Sequence, residues 1–154
     1  MKNWGWIVLL VLVICVVAWS KFGFRVGNPA MSCLYSDAER KTETICVYGI
    51  RNGSVIKSPL EISGRARGNW YFEASFPIQL IGQNDQKLAT TAAAAQGDWM
   101  TNDLVPFTAT LNFEAPAGDE GKLVFKKDNP SGLPQNDASF IVPIRFHYVR
   151  DLSY

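Results

Sequence analysis

Between residues 105 and 113 the chain alternates with strict period two: Val105, Phe107, Ala109, Leu111 and Phe113 are apolar, whereas Pro106, Thr108, Thr110 and Asn112 are not. A helix would scatter these side chains around its axis; a strand places them on one dry face and one wet face. A dry face needs cover, so the chain must supply further strands. Residues 60–66 carry Leu60, Ile62, Gly64 and Ala66 on one side, residues 76–81 carry Phe76, Ile78 and Leu80, and residues 140–148 carry Phe140, Val142, Ile144, Phe146 and Tyr148. Shorter apolar runs lie at 31–35, 44–48 and 122–126, with Gly, Pro, Asn and Asp between them. The alanine-rich run 88–95 has helical propensity, but polar turns bound it closely on both sides and small side chains let a neighbouring layer approach, so it too is predicted as a strand. Pro77, Pro106 and Pro143 fall inside strand patterns and each deletes a ladder donor, which calls for edges, outward-facing amides or bulges. About seven short strands at spacings near ten residues predict an all-β, immunoglobulin-like β-sandwich over residues 47–150.

Residues 1–24 are different in kind. Lys2 precedes an apolar run from Trp4 to Trp19 that extends over Ser20 and Lys21 to Phe22 and Phe24. This predicts an N-terminal hydrophobic helix, read as a transmembrane anchor or a signal peptide, and either reading exports the remainder. Trp4, Trp6 and Trp19 have the look of an interfacial belt and favour the anchor. The expected address is the cell membrane, single-pass, with the domain on the extracytoplasmic side, or secretion if the leader is cleaved.

Residues 25–46 read as a linker followed by two apolar runs flanking a charged tip, a hairpin or Ω-like loop. In an oxidising compartment Cys33 and Cys46 would face each other across it and close a disulfide; two separate thiols are the alternative. Asn52-Gly53-Ser54 fits both an Asn-Gly turn and a glycosylation acceptor, the turn being the simpler reading.

Fifteen basic residues against fourteen acidic ones, with no basic block after the leader, disfavour a nucleic-acid partner. The single histidine, His147, falls on the outward side of the last predicted strand, where a Ser/His/Asp triad is hard to assemble, and one histidine cannot build a multi-histidine metal site. Asp98, Asp103, Asp128 and Asp137 match no calcium loop and are expected to fold their own turns. No cofactor and no enzymatic activity are therefore expected. Trp70, Tyr71 and Trp99 are open to two readings, an aromatic platform for a glycan or peptide or plugs at the end of the core, with Trp99 expected mainly as a plug. The candidate partner-binding residues are Trp70 and Tyr71, with Asn129, Pro130 and Leu133 from a Pro/Gly-rigid loop expected to be exposed.

Several stretches carry a family resemblance: Ser58-Pro59-Leu60-Glu61-Ile62-Ser63-Gly64-Arg65-Ala66-Arg67-Gly68-Asn69-Trp70-Tyr71-Phe72-Glu73-Ala74, then Phe76-Pro77-Ile78, Gly97-Asp98-Trp99, Val105-Pro106-Phe107 and Asn129-Pro130-Ser131-Gly132-Leu133-Pro134. In this order, over about residues 47–146, they resemble the immunoglobulin-like domain of bacterial spore germination, often met behind a membrane anchor or beside a GerMN module. The resemblance implies an extracytoplasmic sandwich that acts as an adaptor without chemistry of its own. The functional expectation is a membrane-tethered, non-enzymatic interaction module of a bacterial envelope, docking a protein or wall polymer. A glycan-binding or glycan-processing accessory is the alternative.

Overall fold

The computed structural model describes residues 30–35, 42–114, 116 and 118–147. The leader 1–24, the hairpin tip 36–41 and Tyr148 lie outside them. Among the described residues no helix is long and apolar enough to cross a membrane.

Nine strands form among the described residues: β1 (Met31–Tyr35), β2 (Glu43–Tyr48), β3 (Ser54–Ile56), β4 (Leu60–Arg67), β5 (Ser75–Ile81), β6 (Lys87–Ala95), β7 (Leu104–Leu111), β8 (Glu120–Lys126) and β9 (Ser139–Phe146). They make one curled sheet in the order β1-β2-β4-β7-β6-β5-β8-β9-β3. The curl has a hinge line. β6 pairs with β5 along most of its length but touches β7 only through Ala94↔Thr108 and Ala95↔Phe107. That short contact lets β1-β2-β4-β7 fold over β6-β5-β8-β9-β3, with the core between them. The central neighbours, β4 beside β7 and β5 beside β8, are the B–E and C–F pairings of an immunoglobulin sandwich.

The expected dry faces are the ones buried. Val105, Phe107, Ala109 and Leu111 of β7 are buried while Pro106, Thr108 and Thr110 are exposed. Phe76, Ile78 and Leu80 of β5 belong to the same core as Leu123 and Phe125 of the neighbouring β8 and Val142, Ile144 and Phe146 of β9. Edge-to-face contacts run through its centre, from Trp70 to Phe76 at 5.9 Å and from Phe76 to Phe107 at 5.0 Å between ring centres. Each such buried side chain contributes about 1.5–3 kcal/mol of transfer free energy, which is why the aromatic positions dominate the core. The alanine run is a strand: β-ladder hydrogen bonds to β5 and the burial of Ala93 outweigh its helical propensity.

One missed element is β3, whose three residues are too short to show a period. It follows the Asn52-Gly53 turn, where Gly53 takes φ 77° and donates its N–H to the Pro143 carbonyl, and it pairs parallel with β9. The chain thus changes layers between β2 and β3. Asn52-Gly53-Ser54 is therefore a turn in this fold.

The prolines narrow an expectation that left edges, outward-facing amides and bulges open. Pro77, Pro106 and Pro143 sit in strands with neighbours on both sides, not on edges. Each lies one residue before a second ladder begins: Ile78 opens the pairing with β8, Phe107 the contact with β6, and Ile144 the pairing with β3. A missing donor costs little where no acceptor has yet arrived.

Candidate functional site

The ladder registers place four connections at one end of the sandwich. Arg67 is level with Leu104, Ser75 with Ala94, and Lys126 with Ser139, so the β4–β5, β6–β7 and β8–β9 connections share that end. The facing ends of β1 and β2 lie there as the fourth, since Tyr35 is opposite Glu43. The described chain enters β1 and leaves β9 on the opposite side, where β3, the β5–β6 turn and the β7–β8 connection also lie.

The β4–β5 connection is the keel of this end. Residues Gly68–Trp70 form one 3₁₀ turn closed by the Tyr71 N–H on the Gly68 carbonyl. Gly68 donates to the Asp103 carbonyl at 3.1 Å, and a Cβ at Gly68 would overlap the carbonyls of Thr101 and Trp99. Only glycine permits that backbone approach. On the other flank the Asp128 N–H donates to the Trp70 carbonyl at 3.0 Å, so all three connections meet here. Arg67 adds a clamp: Nε donates to the Glu43 carbonyl and an Nη to the Asn102 carbonyl, both at 2.9 Å.

Trp70 and Tyr71, expected as partner contacts, are buried, with 1% and 4% of their surfaces exposed. The platform reading of these two fails because their rings are consumed by packing on Phe76. The Tyr71 hydroxyl donates to the Val105 carbonyl at 2.7 Å. Burial pushes the phenol well above its ordinary pKa, with a smaller opposing effect from backbone Ala66. Trp99 is partly buried against the core, a plug with one side accessible.

Asn129, Pro130 and Leu133 belong to a loop that is exposed and internally tied. Asn129 Nδ2 donates to the Leu133 carbonyl at 2.9 Å and to Asp137 Oδ1 at 2.7 Å, while its Oδ1 accepts from the Ser131 hydroxyl at 2.5 Å. Gly132, at φ 65°, donates to the Asn129 carbonyl. Asn129 is therefore the loop's brace, and Pro130 and Leu133 are what the loop shows to solvent. At the same end Phe72, Met100 and Leu133 are 41%, 78% and 49% exposed, half of the large apolar side chains exposed among the described residues. Phe72 and Met100 directly follow the more conspicuous Trp70-Tyr71 and Trp99 in the sequence, and only the structure separates the exposed residues from the buried ones.

Between the first two connections lies a shallow depression of about 300 Å³, lined by Gly68, Asn69 and Tyr71 from one and by Trp99, Met100, Thr101 and Asn102 from the other. Asp98 takes no part in it; its Oδ1 accepts from the Met100 N–H in an Asx turn. His147 is exposed at the far end, holding the Ile56 carbonyl through its backbone N–H.

The hairpin disulfide forms. Cys33 and Cys46 are direct cross-strand partners with Cα atoms 4.1 Å apart. Glu43 brings a carboxylate within 4.8 Å of both sulfurs, a grouping with thiolate-site donors. The sulfurs are spent on each other, however, and Glu43 pairs with Arg65 at 2.5 Å.

A family model described as the immunoglobulin-like domain of bacterial spore germination matches residues 51–132, more than half of the chain. The chain belongs to that family. The match runs from the turn before β3 to Gly132 in the β8–β9 loop, so the spore-germination immunoglobulin-like domain includes the keel, the depression and most of the braced loop. The disulfide hairpin and β9 lie outside the matched span. Comparisons with curated proteins and with solved structures gave no match.

Proposed function

We propose that this chain is a membrane-tethered, extracytoplasmic, non-enzymatic interaction module of a bacterial cell envelope, which docks a protein or wall polymer through the four-connection end of its sandwich. The observation that carries the reading is the polarity of the fold. The chain enters on the side opposite that end, so a tether at 1–24 would present the exposed Phe72, Met100 and Leu133 away from the membrane. The eight residues of β4 set the separation at about 26 Å. Family membership supports the adaptor reading, and the braced β8–β9 loop suits it, because a loop already held in shape gives up little entropy on binding.

The test is photo-crosslinking in the producing membrane, with the crosslinker at position 133 or 100 and, as a control, at position 55 on the far edge strand. Adducts are expected from the first two and not from Val55. Adducts confined to position 55, or recovery of the chain from the cytoplasm, would overturn the reading.

A further inference from the structure

The depression between the β4–β5 and β6–β7 connections has a chemistry more specific than docking in general. Its uncommitted polar groups are all uncharged. The carboxamides of Asn69 and Asn102 and the indole N–H of Trp99 make no hydrogen bond within the described residues, although all three side chains border the same 300 Å³ space. Neighbouring polar groups are already engaged: the Tyr71 hydroxyl on Val105, the Thr101 hydroxyl by the Asp103 N–H, and the Asp98 carboxylate by the Met100 N–H. The apolar contribution comes from the accessible side of Trp99 and from Met100. Among the described residues no Lys, Arg, Asp or Glu borders the space.

Resting on the docking reading above, the geometry points to this depression as a subsite for a neutral saccharide. An indole beside unpaired carboxamides suits a pyranose ring, which offers C–H groups to an aromatic surface and hydroxyl or N-acetyl groups to amides. An acidic or basic peptide would bring a charge for which the described lining of the depression has no counterpart. The backbone crossing at Gly68 makes this part of the lining tightly packed, since a Cβ there would overlap the Thr101 and Trp99 carbonyl oxygens.

The experiment uses the full-length chain in detergent, labelled with fluorotryptophan, with the Trp99 signal assigned through Trp99→Phe. A neutral β-linked N-acetylglucosamine tetramer is the probe. Titration is expected to move the Trp99 signal. The double variant Asn69→Ala/Asn102→Ala, whose exposed side chains hold no internal bond, is expected to keep its unfolding midpoint and weaken binding by about ten-fold or more. An unmoved Trp99 signal, or binding unchanged in the folded double variant, would refute the saccharide subsite. Crosslinks at position 133 that persist while the tetramer leaves Trp99 unmoved would remove the subsite and leave the docking reading standing; loss of both would remove both.

Discussion

The β4–β5 and β8–β9 connections lie side by side, joined by the Asp128 N–H on the Trp70 carbonyl, yet they are built on opposite plans. The first turns inward. Trp70 and Tyr71 fill the end of the core, and backbone neighbours close over Gly68. The second turns outward and replaces hydrophobic packing with side-chain hydrogen bonds, three of them through Asn129 alone. Aromatic character in a loop is thus a poor guide to recognition when the loop caps a small sandwich, because the core's end needs a large plug. Recognition passes to the neighbour whose shape is held without burial.

The sharpest way to break this contrast is Trp70→Ala. Loss of a fully buried indole is expected to cost about 3–5 kcal/mol in urea-induced unfolding, because a cavity would open against Phe76. A cost within about 0.5 kcal/mol, the range for an exposed side chain, would show that the inward plan is wrong.

Asn129→Ala probes the outward plan and should do less. It removes the brace between Leu133 and Asp137, at an expected cost of about 1 kcal/mol, with faster amide exchange confined to residues 129–137. Exchange that accelerates throughout the core would mean that this loop carries stability in the way its neighbour does.

Much of this arrangement was legible in the sequence, for reasons that differ by residue. Strands β4, β5, β7 and β9 show their dry faces directly, since period two survives in eight-residue segments such as β7. The Cys33–Cys46 pairing was legible because two apolar runs flank one charged tip. β3 was not, being three residues long, paired in parallel and dependent on a partner about ninety residues away. Which of edges, outward-facing amides or bulges the prolines use was not legible, because sequence reveals a missing donor but not where a neighbouring ladder starts. At the site, the exposure of the loop around Leu133 followed from Pro and Gly content. The burial of Trp70 did not follow from residue type, since the same indole suits a platform and a plug. The uncommitted Asn69 and Asn102 carboxamides could be found only from the hydrogen bonds that other side chains make.

A further effect, no larger than that of Asn129→Ala at neutral pH, separates the two connections by titration. Tyr71 is held neutral, its phenol pKa raised above the ordinary value of about 10 chiefly by burial. In the unfolded chain the same phenol ionises near pH 10, so above that pH the unfolded state binds fewer protons than the folded one. Stability from this group is therefore fully present below about pH 10 and declines as pH rises toward the folded pKa. Tyr71→Phe should remove that alkaline decline while costing about 1 kcal/mol at neutral pH, because the Val105 carbonyl loses its donor. Comparing urea midpoints of the two proteins between pH 8 and pH 11 measures the difference. Parallel profiles would mean that Tyr71 is as free to ionise in the folded chain as in the unfolded one, and the connection that carries it would then be open to water like its neighbour.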